Sequence, residues 1–181
     1  KINKLITKKN SFIKGNGKQF TVSFWFNLLN TSNKWRQLFR LGSKNDMSRC
    51  PGIFVYPHGT SMRISISTDF NQNEGLEISH GDVSMKRWTH LAITLSNKSL
   101  AIYLDGVIYK KSELQGNPVF PNNMTLYGGN SSNKEYGNND VELSHFTIMK
   151  LAVNDKYIKN IILHDRPKVE CNQSPSPVFC Q

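Results

Sequence analysis

Apolar and polar residues alternate with a period of two along much of this chain, most clearly between Trp88 and Gly106. There Leu91, Ile93 and Leu95 alternate with His90, Ala92 and Thr94; after the polar break Ser96-Asn97-Lys98-Ser99, Leu100, Ile102 and Leu104 alternate with Ala101, Tyr103 and Asp105. Two such runs joined by a short Ser/Asn connection predict a β-hairpin. Asp105-Gly106 supplies a second tight turn, because glycine tolerates positive φ and aspartate can bond its own backbone, and Val107 to Tyr109 continue extended. One face of this meander is aliphatic and the other polar, so a second sheet is needed to cover the aliphatic one.

The rest of the chain carries the same period. In Phe20 to Leu28, Phe20, Val22, Phe24, Phe26 and Leu28 share one face and Thr21, Ser23, Trp25 and Asn27 the other. Further strands are predicted at Trp35–Leu41, Ile53–Tyr56, Met62–Ser67, Leu76–Ile78, Met124–Gly129 and Val141–Leu151, with Phe146 and Ile148 opposite His145 and Thr147. Polar loops separate them at 42–52, 57–61, 69–75 and 130–139. Asn154 is placed to N-cap a single helix whose Tyr157, Ile158, Ile161 and Ile162 recur at helical spacing. About ten short strands and one late helix make this an all-β, two-sheet antiparallel sandwich with one short C-terminal helix. No internal repeat and no second domain are visible.

Composition changes this picture in two places. The net charge of +10 suggests a polyanion partner, yet Lys1, Lys4, Lys8, Lys9, Lys14 and Lys18 supply six of those charges with no acidic residue among the first eighteen. The remaining body is therefore near +4 (10 minus 6), and the segment reads as a solvated lysine-rich stretch, the alternative being a basic arm for a polyanion such as a heparan-like glycan or anionic lipid; no nucleic acid is expected as a partner. The three cysteines are an odd number. Cys171 and Cys180 bracket a small loop that a disulfide would close, and Cys50 remains as a free thiol or the mate of a cysteine elsewhere. No run of about 18 apolar residues exists to span a membrane. The first residue, Lys1, suggests a mature or excised fragment.

The order of motifs resembles the laminin G-like domain within the concanavalin A-like jelly rolls. The resemblance rests on Phe20-Thr-Val-Ser-Phe-Trp-Phe, Leu38-Phe-Arg-Leu-Gly, Trp88-Thr-His-Leu-Ala-Ile-Thr, Ala101-Ile-Tyr-Leu-Asp-Gly, Leu126-Tyr-Gly-Gly and Leu143 to Val153. It covers roughly Phe20 to Leu163, and divides the chain into a basic segment at 1–19 that forms an edge strand, a jelly-roll body at 20–165 and a cysteine-containing tail at 166–181. The resemblance implies that Trp88, Tyr103 and the Asp105-Gly106 turn are framework positions. Where the family commonly has an acidic residue in its last strand motif, this chain has His145, read here as structural.

The resemblance further implies binding rather than catalysis: an extracellular or cell-surface adhesion module for a glycan or a protein partner, sometimes carrying one calcium ion. Calcium takes six to eight oxygen ligands, for which Asp46, Asp69 and Asp140 are the candidate carboxylates. Glycosidases of this fold need two carboxylates across the scissile bond, and the acidic strand motif Glu-x-Asp-x-x-Glu is absent; Asp140-x-Glu142 is the nearest approach. Metalloprotease, nucleophile-elbow and phosphate-loop motifs are also missing. A recognition surface is expected on the loops of one rim, 42–49, 57–61, 69–75 and 130–139. For a sulfated glycan the basic candidates are Lys34, Arg36, Arg40, Arg63, Lys86, Arg87, Lys110 and Lys111. The alternatives are an assembly domain that docks neighbouring domains of a larger surface protein, and a receptor-binding or lectin domain of a secreted toxin or hydrolase. Sequons at Asn30, Asn97, Asn123, Asn130 and Asn172 fall in predicted loops or at strand ends, where N-glycans fit a secreted chain.

Overall fold

A computed structural model describes residues 19–43, 48–121, 124–128, 140–165 and 167. Ten strands and one helix follow in the order β1 (Gln19–Leu28), β2 (Arg36–Gly42), β3 (Gly52–Val55), β4 (Met62–Ile66), β5 (Glu74–Ile78), β6 (Thr89–Ser96), β7 (Ser99–Leu104), β8 (Val107–Glu113), β9 (Thr125–Gly128), β10 (Val141–Met149) and α1 (Asp155–His164). They form two five-stranded sheets, β10-β1-β6-β7-β8 and β5-β4-β3-β2-β9. Every pairing within them is antiparallel. This is the two-sheet antiparallel sandwich expected from the alternation, and it is consistent with the jelly roll that the resemblance implies.

The core lies where the apolar phase puts it. Phe20, Val22, Phe24, Phe26 and Leu28 of β1 and Leu91, Ile93 and Leu95 of β6 face Ile53, Val55, Met62, Ile64, Ile66 and Ile78 of the other sheet. Burying each such side chain contributes about 1.5–3 kcal/mol, so this layer dominates the stability of the fold. Phe24 and Phe39 bring the two sheets together around Phe146, with ring centroids 5.7 and 4.9 Å from it. The alternation of β10 breaks between Leu143 and Phe146, and the backbone explains how both reach the core. The ladder with β1 shifts between Ser23 and Trp25, and His145 takes a φ of 49° as the extra residue of a bulge. Its side chain is exposed and lies 2.8 Å from the Ser144 hydroxyl.

The hairpin differs from expectation on its second face. Ala92, Ala101 and Tyr103, expected to be the polar, solvated side, are buried beneath α1 together with Val153 and Ile158. Asn154 N-caps the helix by accepting the Tyr157 N–H at 3.0 Å. Tyr103 holds the first turn by donating to Asp155 at 2.8 Å, and burial followed by that carboxylate pushes its phenol up to about 12. In the following turn Asp105 (φ 46°) and Gly106 (φ 81°) both lie in the left-handed region. A Cβ on Gly106 would sit 2.8 Å from Ile162 Cδ1. Trp88 is only half-buried ahead of β6 and belongs to neither core cluster.

The registers also correct the expected grouping of loops. The described ends of the 42–49 connection and the 69–75 connection share one end of the sandwich, joined where Ser67 N donates to Arg49 O and Arg49 N donates to Ser67 Oγ. The 57–61 loop lies at the opposite end, where His58 N–H donates to Ser32 O. The loop at 130–139 is outside the described residues, as are residues 1–18 and most of the tail. Cys50 is a free thiol, buried and donating to Val119 O at 3.0 Å. No described helix is long and apolar enough to cross a membrane.

Candidate functional site

Inner positions of β3 and β4 alternate with outer ones, so the residues between Ile53, Val55, Met62, Ile64 and Ile66 come to lie on the outer face of the second sheet. The pairing aligns them in rows. Gln37, Phe54, Arg63 and Glu77 face one another across β2, β3, β4 and β5, and the next row is Arg40, Gly52, Ser65 and Gly75. Two glycines flanking one serine leave that second row nearly free of side chains, and a groove opens there. Its volume is about 390 Å³, and Trp35, Arg49, Phe54, Tyr56, Arg63, Ser65 and Asn73 line it. Gly52 and Gly75 are both required: a Cβ on Gly52 would crowd the Phe54 ring at 2.8 Å, and one on Gly75 (φ 151°) would run into the Ile64 carbonyl.

Aromatic and cationic side chains dominate the lining. Trp35 and Tyr56, both half-buried, lie 4.2 Å apart between ring centroids, tilted by 43°. Arg49 holds its guanidinium over the Phe54 ring at 5.4 Å. Arg63 is fixed by Glu77 at 3.3 Å and by Asn73 O at 2.5 Å, and the same Glu77 oxygen accepts from the Tyr56 hydroxyl at 2.5 Å. Burial, then the Glu77 bond, raises the Tyr56 phenol above its usual range, so it stays a donor at neutral pH. Beyond Arg63 and Asn73 a second depression of about 310 Å³ continues past the β5 edge, lined by Phe70, Glu74 and the 112–115 segment.

The eight basic candidates are scattered. Arg63 lines the groove, and Lys34 is exposed beside Trp35 in the chain. Lys86 and Arg87 lie on the loop before β6, with Arg87 3.4 Å from Asp105, and Lys110 and Lys111 are exposed on the edge strand β8. The expectation of a surface role is not met by two of them. Arg36 is wholly buried, donating to Asn30 O and Gly59 O, and its pKa is lowered by burial against the opposing pull of Asp140. Arg40 is also buried, donating to Ser43 O and lying 4.1 Å above the Tyr127 ring. Both tie loops and strands together.

The calcium carboxylates do not converge. Asp69 sits at the 69–75 end with its two oxygens accepting from Asn117 N and Nδ2, which lowers its pKa. Asp140 lies at the other end, where its carbonyl accepts from Leu29 N. Asp46 is outside the described residues, and no cluster of three metal-ligating side chains occurs among those described. The described carboxylates therefore do not fit a shared calcium site. Asn30 and Asn97 are exposed, Asn97 at a φ of 54° in the hairpin turn. Asn123, Asn130, Asn172, Cys171 and Cys180 fall outside the described residues.

One arrangement superficially suggests nucleophilic chemistry. Ser23 Oγ lies 2.8 Å from His90 Nε2, but both residues are 0 % exposed, and Asp105 accepts from the backbone N–H of His90 rather than from its ring. Burial is the main reason that His90 falls to a pKa of about 4, with Asp105 and Asp165 opposing. None of the groove-lining residues carries a carboxyl group.

Arg49 and Asn73 fall within loops expected from the sequence to carry recognition, whereas Trp35, Phe54, Tyr56 and Ser65 were not among the expected site residues. The available signal was phase: Phe54 and Arg63 alternate against Ile53, Val55, Met62 and Ile64, which marks an outer face bearing an aromatic and a cation.

Known proteins place this geometry in a family. No curated protein matches the chain. Among solved structures, the botulinum neurotoxin serotype D binding domain is 12% identical with a TM-score of 0.63, over 87% of this chain and 38% of that one. The serotype D ligand-binding domain in complex with N-acetylneuraminic acid is also 12% identical, with a TM-score of 0.66 over 87% and 39%. Trypanosoma rangeli sialidase is 13% identical, with a TM-score of 0.62 over 81% and 22%. The chain thus spans well under half of each of these longer molecules, and at such identity the likeness is one of fold. The laminin G family model described as the concanavalin A-like lectin/glucanases superfamily matches residues 5–159, and the chain belongs to that family.

Proposed function

We propose that this chain is a non-catalytic glycan-recognition module of an extracellular or cell-surface protein, binding its ligand in the outer-face groove of the second sheet. The observation that carries the reading is the lining itself. The half-buried Trp35–Tyr56 pair offers apolar ring faces of the kind that stack on the C–H face of a sugar, while Arg63, Asn73, Ser65 and the Tyr56 hydroxyl supply fixed polar contacts around it. A solved neighbour of the same fold is described in complex with an acidic sugar, which supports the class of ligand. The short span relative to the toxin and sialidase chains supports a module within a larger protein.

A glycan panel followed by calorimetry tests the reading. Trp35→Ala is expected to weaken the best ligand by about tenfold or more, in line with about 1–2 kcal/mol for a stacked aromatic contact, with circular dichroism unchanged. Binding unaffected by Trp35→Ala and Arg63→Ala together would move the site elsewhere. A second reading, docking of a neighbouring domain, is favoured by apolar exposure along β8 and α1, where Val107 is 64% and Leu163 77% exposed. It predicts stable association with flanking domains and no sugar binding.

A further inference from the structure

The two groove arginines differ in what already holds them. Arg63 is compensated, its guanidinium against Glu77 and its second nitrogen against the Asn73 carbonyl. Arg49 has no acidic partner among the described residues, and its Nε is buried without a hydrogen bond. It is nevertheless held in place. Its backbone N–H donates to Ser67 Oγ at 2.8 Å and its carbonyl accepts from Ser67 N at 2.7 Å. Its Cβ and Cγ pack over Gly52, where a side chain would come within 3.2 and 3.1 Å of them, and its guanidinium rests over Phe54. A planar, permanently charged fork held in a groove with no counter-charge among the described residues is a prepared seat for an anion, because carboxylate and sulfate match it bidentately and its packing lowers the ordering cost.

Building on the glycan reading above, we propose that the groove selects an acidic saccharide, with its carboxylate or sulfate on Arg49 and its ring against Trp35 and Tyr56. Arg49 is the specificity residue. Arg63, already neutralised by Glu77, positions neutral hydroxyls and does not select for charge.

Matched pairs test this: sialyllactose against lactose, and a heparin-derived hexasaccharide against its desulfated form, each titrated into the full chain. In at least one pair the acidic member is expected to bind about tenfold tighter or more, the range of one charge-assisted pair. That preference should shrink as salt rises. Arg49→Gln should abolish it, lowering the affinity for the acidic member more than that for the neutral one, whereas Arg49→Lys should retain part of it. The double variant Lys110→Gln/Lys111→Gln, on the far edge strand, should change neither. An acidic preference that persists in Arg49→Gln overturns the assignment. Equal binding of neutral and acidic members overturns it while leaving the glycan reading intact. Absence of binding to every sugar overturns both.

Discussion

Acidification should weaken this fold through one histidine before its carboxylates begin to titrate. His90 is fully buried on the outer face of the first sheet, its Nε2 against Ser23 Oγ and its ring edge-on to Trp25 at 5.2 Å. Its Nδ1 is buried with no hydrogen-bond partner, so a second proton would create a buried N–H with no acceptor. Burial accordingly lowers the pKa from 6.5 to about 4 in the folded chain. The sign follows: the native state keeps His90 neutral while the unfolded chain takes up the proton near its ordinary pKa. Stability is therefore full above about pH 6.5 and is lost as pH falls toward 4. From the two pKa values, the loss between about pH 7 and about pH 5 is about 2 kcal/mol, with a ceiling of about 3 kcal/mol at lower pH. Urea titrations would show this as a midpoint lower by about 1 M, for a slope of about 2 kcal/mol per molar. The control is His90→Gln, which cannot titrate; whatever its absolute stability, it should lose less over the same interval by that amount. Equal losses in the two proteins would refute the reasoning.

Three other outcomes follow from buried or strained positions. Gln37 is 1% exposed with neither side-chain amide atom hydrogen-bonded, so Gln37→Leu should stabilise the fold by about 1 kcal/mol or more, measured by urea midpoint, and a loss would show that the amide is satisfied. Burial pushes the Cys50 thiol up to about 12 against the pull of Arg40, so alkylation followed by peptide mapping should find Cys50 labelled only at the rate of unfolding; labelling as fast as a free peptide thiol would contradict this. Gly106→Val places a branched side chain at positive φ against Ile162 and should cost about 2 kcal/mol in chemical denaturation, whereas an unchanged midpoint would mean that α1 shifts freely.

Local pattern carried most of the architecture, because strand phase and helix caps are short-range properties. Phe20 to Leu28 announced an inner face by its own alternation, and Asn154 announced the start of α1 by position and chemistry. What local pattern could not express was the burial of both faces of β1, β6 and β7. Thr21 and Ser23 lie on the polar side of the β1 alternation, yet Thr21 is covered through hydrogen bonds with Leu151 and Val153, some 130 residues away. Separation along the chain, here shorter, also hid the groove. Phe54, Arg63 and Glu77 come from three strands, and only the pairing register sets them side by side. Arg36 and Arg40 looked like surface cations because charge usually stays wet. Carbonyls at Asn30 and Gly59 for Arg36, and the Ser43 carbonyl with the Tyr127 ring for Arg40, hold them inside, and half of those partners lie far along the chain.

The packing of α1 over Ala92, Ala101 and Tyr103 gives the molecule a back and a front. Chemical anchoring to a bead or sensor through Lys159, which lies against Gly106 on the helix side, would orient every copy with its arginine-and-tryptophan trough toward the fluid. Random coupling through the other lysines would turn a share of the copies to the wall and understate the capacity of the surface.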